Sequence, residues 1–136
     1  MKYSHADTLI IDKAFVHKEK GAFLEALDML HPLETKYEND KVFNGLMANL
    51  YFELQDYENS ERYFRKASQL NPQSELSSLG LFHSLFNQNK TLLSLEEIQR
   101  FTSSNKYVLY KTTIMELKSN LDNFNKLEKE IIKKLK

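Results

Sequence analysis

Apolar positions recur along this chain at steps of three and four residues, the period of helices that bury one face. Ile10, Ala14 and His17 share a face of a first predicted helix, which Gly21 ends because glycine takes the left-handed conformation cheaply. A return helix is expected to bury Phe23, Ala26, Leu27, Leu30 and Leu33. In the next pair Phe43, Met47, Ala48 and Tyr51 face Tyr57, Ser60, Phe64 and Ala67, and the Asp56 carboxylate is placed to cap the second helix. Asn71-Pro72 closes that pair and leaves Ser74 to cap the following helix, since proline cannot extend one. Leu81, Phe82 and Leu85 continue the inner stripe, Asn87-Gln88-Asn89-Lys90 forms a turn, and Leu92, Leu95, Ile98 and Phe101 return. Ser94-Leu95-Glu96-Glu97 reads as a capping box, which places the start of that return helix late. The small polar run Thr102-Ser103-Ser104-Asn105 is expected to break the chain before the last segment.

Residues 106–136 carry Tyr107, Tyr110, Ile114, Leu117, Leu121, Phe124, Leu127, Ile131 and Leu135 at helical steps. Two readings fit: one long capping helix over about residues 106–135, or a fourth hairpin bent near Asn120–Asn123, where helix-poor residues gather. The continuous helix is favoured. In both, this segment covers the end of the preceding layers, whose apolar face would otherwise meet water.

The pairs repeat. Ala26 and Leu30 recur about 34 residues later as Ser60 and Phe64, and Ala14 recurs at the same interval as Ala48. The expected architecture is all-α: a single domain, residues 1–136, of three helix hairpins over about 7–40, 41–74 and 75–108, followed by the C-terminal cap. Three glycines and two prolines among 136 residues fit helices rather than a turn-rich β fold.

The second unit resembles a tetratricopeptide (TPR) motif. Its Ala48, Tyr51, Tyr57, Phe64, Ala67 and Pro72 fall where that family has small, aromatic, small and terminal-proline positions, while Asn44 replaces the tryptophan-like residue and Ser60 a small one. The first unit matches in Gly21, Phe23 and Ala26, with Lys13 where the family has an apolar residue; the third matches by hydrophobic pattern. The resemblance spans about residues 7–108. It implies a TPR-like α-solenoid, a right-handed superhelix whose concave groove is lined by the first helix of each pair. By that resemblance the groove holds Ile11 and Phe15, then Leu46, Asn49 and Phe52, then Leu79, His83 and Phe86. The family's clamp for chaperone C-terminal tails would need Lys at Ile11, Asn at Phe15 and Leu46, and Lys and Arg at Leu76 and Gly80. None is present, so the groove is apolar and aromatic and suits an amphipathic or apolar segment. Phe15, Phe52 and Phe86 could form a ladder of anchors on successive units.

Charge adds little. The chain is formally neutral, with 11 basic against 15 acidic residues in 1–105 and 8 against 4 in 106–136. The basic residues of the tail are interspersed with acids, a solvated helix face rather than a nucleic-acid footprint. There is no cysteine, no apolar run of membrane-spanning length, and no apolar signal core in Met1–Asp7, so a cytoplasmic location is the default expectation. The four histidines lack metal-ligand spacing, and neither a glycine-rich phosphate loop nor a nucleophile elbow occurs. No catalytic residue, metal or cofactor is therefore expected.

The sequence points to a binding protein that holds or masks a protein or peptide partner, as a secretion chaperone or a toxin-neutralising immunity protein would. Phe52, Asn49 and Phe86 lead the candidate contacts, with Leu46, Leu79, His83 and Phe15 behind them. A toxin neutraliser could equally use the acidic convex residues Glu25, Asp28, Glu58 and Glu61. The alternative is a self-associating scaffold, a homodimer seamed by the near-heptad apolar residues of the C-terminal helix.

Overall fold

The computed structural model describes residues 3–136, and the described residues form helices joined by short links. α1 (His5–Glu19) pairs with α2 (Phe23–Leu30), α3 (Lys41–Glu53) with α4 (Tyr57–Leu70), and α5 (Glu75–Phe86) with α6 (Thr91–Ser104). Each helix packs mainly on its neighbours in the chain, as stacked hairpins do. The fold is an all-α, repeat-like stack of helix hairpins.

The backbone shows why the units are equivalent. The turn between the paired helices places Gly21, Gln55 and Asn89 at φ of +79°, +60° and +62°. Each of these positions lies one repeat after the last. A left-handed residue stops one helix and turns the chain back at once. Glycine does this without strain and asparagine tolerates it, whereas for glutamine the Cβ makes it cost about 1–2 kcal/mol. Gln55→Gly is therefore expected to stabilise the protein by up to about 1 kcal/mol after the entropy glycine adds to the unfolded chain. The urea midpoint should rise with an unchanged slope; an equal or lower midpoint would count against strain at this turn.

The interhelical packing carries the same period. Ala26, Ser60 and Ser94 are fully buried, and Leu30, Phe64 and Ile98 four residues further on are buried as well. Small side chains at the first set let the helices of adjacent layers approach. Ser94 thus lies within the first turn of a helix and not at its cap. The expected capping box is absent: α6 starts at Thr91, the Ser94 hydroxyl donates to the Thr91 carbonyl at 2.6 Å, and Glu97 is buried. Packing at an equivalent register position won over the local capping signal. The helix also runs through Ser104, so only Asn105 of the expected breaker closes it. The caps at Asp56 and Ser74 form as the sequence indicates, accepting from Asn59 N and Ser77 N at 3.2 Å each.

In α1 the buried stripe is Asp7, Ile11 and Ala14, one position round from the expected Ile10, Ala14 and His17. Ile11 is core rather than groove. The reason is Asp7, whose carboxylate accepts from Tyr37 Oη at 2.5 Å and Lys36 Nζ at 2.7 Å and so rotates the helix. The hydrogen bonds from Lys36 and Tyr37 hold the Asp7 carboxyl below the usual range against the opposing effect of burial. Tyr37 itself is buried in the link between α2 and α3, and Asp40 beside it accepts from Tyr3 and from Phe43 N. Asn44 donates to the Glu38 and Asp40 carbonyls at 3.0 and 2.8 Å, tying the same link down.

The C-terminal segment is a bent unit and not one helix. α7 (Tyr110–Ser119) and α8 (Lys126–Lys134) are separated by a 3-10 turn over Leu121–Asn123, and residues 106–109 precede the helix. Asn125 and Glu128 form a capping box that restarts the chain as α8. A straight helix would carry its stripe away from the protein, whereas the bend returns α8 onto α6 and buries Ile132 and Leu135. The apolar stripe expected to seam a homodimer is consequently largely used inside the chain; Leu127 remains 54 % exposed.

Buried side chains form two clusters, one from α1 to α5 and one from α5 to α8. α5 divides them, giving Leu81 and Leu85 to the first and Phe82 to the second. A hydrogen-bonded relay stitches the second: Tyr110 Oη donates to Ser78 Oγ (2.7 Å), which donates to Glu97 Oε2 (2.6 Å), and Arg100 closes on Glu97 through two bonds of 3.0 and 2.7 Å. Glu75 of α5 accepts from Val108 N and Tyr110 N, supplying from another helix the cap that α7 lacks.

Candidate binding groove

The first helices of the three hairpins stand side by side and leave a groove of about 540 Å³. α1 contributes Phe15 and Lys18. α3 contributes Lys41, Val42, Gly45, Leu46, Asn49 and Phe52, and α5 contributes Leu76, Ser77, Leu79, Gly80 and His83. Phe64 of α4 reaches the floor from behind, and it does so because Gly80 has no side chain. A Cβ there would lie 2.4 Å from the Phe64 ring.

Six of the seven expected contact residues meet in this groove: Phe15, Leu46, Asn49, Phe52, Leu79 and His83. They play different parts. Leu46 is buried and forms floor. Phe52 is half-buried, edge-on to Tyr57 and Phe64 at centroid distances of 5.3 and 6.4 Å. Asn49 is exposed, and its amide donates to the Gly45 carbonyl at 2.9 Å. Burial holds the His83 imidazole below its ordinary pKa, with Glu116 opposing in part, so at neutral pH it is an uncharged ring.

Phe86 is not with them. It stacks on Phe82 at 5.6 Å, leans on Phe124 at 6.4 Å and lines a second cavity between α5 and the C-terminal unit. The expected three-rung aromatic ladder is therefore two rungs, because the bent C-terminal unit returns close enough to take the third. The rim holds apolar residues outside the expected contacts, although Leu76 already stood at a clamp position of the family. Val42 (53 % exposed) and Leu76 (72 %) are the most open apolar side chains of the groove, beside Phe15 (41 %). A signal existed: Val42 and Leu76 are themselves one repeat apart, each two positions after the capping residues Asp40 and Ser74.

On the opposite side Glu25, Asp28 and Glu58 are exposed, but Glu61 is not a free acid. Burial alone would raise its carboxyl pKa, yet hydrogen bonds from Lys90, Gln88 and Arg65 hold it below the usual range. Among the described residues no three His, Asp or Glu side chains converge as a metal site, and no helix is long and apolar enough to cross a membrane.

The fold and groove define a class, an all-α repeat-like stack with an apolar cleft along its first helices. Compared with known proteins, the chain matches no protein-family model, no curated protein and no solved structure.

Proposed function

We propose that this chain is a small TPR-like binding module that captures a segment of a partner protein in the groove. It acts stoichiometrically and without catalysis, in the cytoplasm. The observation that carries the reading is the open apolar rim of Phe15, Val42 and Leu76 over a floor of Leu46 and Phe64. Contiguous apolar surface on a folded protein marks an interaction site. The polar groups of this cleft are lysines, serines, asparagines and one histidine, set among apolar side chains, with no carboxylate in its lining. A secretion chaperone and a toxin neutraliser are two specific forms of this role, since each masks a surface of its client.

Phe52→Ala tests it. Aromatic anchors at the centre of a cleft carry a disproportionate share of binding energy. A partner captured by the wild-type protein from the producing cell, then titrated, should bind Phe52→Ala at least about tenfold more weakly, or about 1.4 kcal/mol. Glu58→Ala on the opposite face should bind as wild type. Equal affinity of Phe52→Ala and wild type, with loss in Glu58→Ala, would move the site out of the groove.

A further inference from the structure

The groove and the second cavity, of about 590 Å³, adjoin at His83, which lines both. Their charges differ in sign. The charged side chains of the groove are Lys18 and Lys41, without a carboxylate. Those of the second cavity are Glu116 and Glu128, without a lysine or arginine. None of the four joins an ion pair among the described residues. The only other titratable group facing either space is His83, uncharged between the two ends. Glu128 is held at the start of α8 by its bond from Asn125 N at 2.9 Å, which fixes where that negative charge sits.

We propose that the two cavities form one polarised channel for an apolar segment of a partner protein that carries acidic side chains over α1 and α3 and basic side chains over α7 and α8. This rests on the reading that the groove captures a partner, and adds the partner's charge pattern and orientation. Apolar contacts alone are indifferent to direction. Opposite charges at the two ends are not: reversing the segment would set like against like at both, which is how interfaces fix register and reject wrong partners. Phe86, in the second cavity, then meets the basic end of the segment, where its ring face favours a cation. The attraction is between partly exposed charges, so it is modest and falls with salt.

The test uses the full chain and synthetic amphipathic peptides sharing one apolar core. One has glutamates at its N-terminal end and lysines at its C-terminal end, one has the reverse order, and one has glutamines at both ends. A photoreactive residue at the acidic end, or at one end of the neutral peptide, reports where that end sits. One dipolar peptide should bind about tenfold more tightly than the neutral one at low salt, and its acidic end should cross-link to α1 or α3. In the charge-swapped variant Lys18→Glu/Lys41→Glu/Glu116→Lys, verified as folded by circular dichroism, the cross-links should move to α7 or α8. Equal affinities with cross-links scattered over both ends would overturn the polarity and leave groove capture standing. Failure of all three peptides to bind would overturn the polarity and groove capture together.

Discussion

Truncation of Tyr110 to alanine is expected to destabilise the protein by about 3–5 kcal/mol, the range for removing a fully buried large aromatic ring. Tyr110 has no exposed surface and stands at the first position of α7. Its ring meets Phe82 edge-on at 6.1 Å and Phe101 at 5.8 Å, so it joins α5, α6 and α7 at one point. Its hydroxyl starts the relay through Ser78 to Glu97. Burial holds that phenol above its ordinary pKa, and the negative charge of Glu97 adds to this against an opposing contribution from Ser78, so it remains a neutral donor. Tyr110→Phe should cost only about 1 kcal/mol, because Ser78 still donates to Glu97 when the hydroxyl is gone. Urea unfolding measures both. Hydrogen exchange on Tyr110→Ala should show α6 to α8 losing protection before α1 to α4, since stacked units stabilise their nearest neighbours. A loss below about 1 kcal/mol for the alanine variant would mean that the C-terminal unit is not part of the cooperative fold.

Gly80→Ala is expected to destabilise by about 1–3 kcal/mol, the range for overpacking a close contact. Helix propensity alone predicts the opposite sign, a gain of about 1 kcal/mol for alanine in a helix interior. The contact decides. The new Cβ would lie 2.4 Å from the Phe64 ring, which is buried and rigid rather than the loose end of a flexible chain. Phe64 also forms the groove floor, so its displacement should weaken the capture proposed for the groove. Gly45→Ala is the control on the neighbouring first helix. Nothing lies within 4 Å of its added Cβ, and the gain in helix propensity should appear there undiminished. Phe64→Leu introduced into Gly80→Ala should recover part of the loss. A Gly80→Ala variant as stable as wild type in thermal unfolding would show that the α4–α5 interface has slack.

Much of the stack was legible in residue order. The regular spacing of Ala26 and Ser60, the caps at Asp56 and Ser74 and the stop at Gly21 are local signals, and all appear in the structure. Gln55 was invisible as a left-handed residue because its side chain gives no hint of a positive φ; only its place one repeat after Gly21 does. Ser94 has a sequence neighbourhood that suits a cap and a structural neighbourhood that needs a small buried side chain, and the second prevailed. Ile11 and Ile10 are adjacent apolar residues, and the ion pair and hydrogen bond made by Asp7 favour Ile11 as the more deeply buried, with Ile10 packed at the edge of the same core. Of the candidate contacts, Phe52 and Phe86 occupy equivalent positions in adjacent units, yet one lines the groove and the other meets Phe124.

The three hairpins, their pairing and their period could be read from residue order, because apolar spacing, capping and turn chemistry act within a few residues of chain. Tertiary packing chose the bent reading of residues 106–136 over the continuous helix, and it set the cap that Glu75 lends to α7, the placement of Phe86 outside the groove and the division of charge between the two cavities. Each of these depends on residues distant in sequence meeting in space, and their energies arise from burial and electrostatics that no local window of the chain contains.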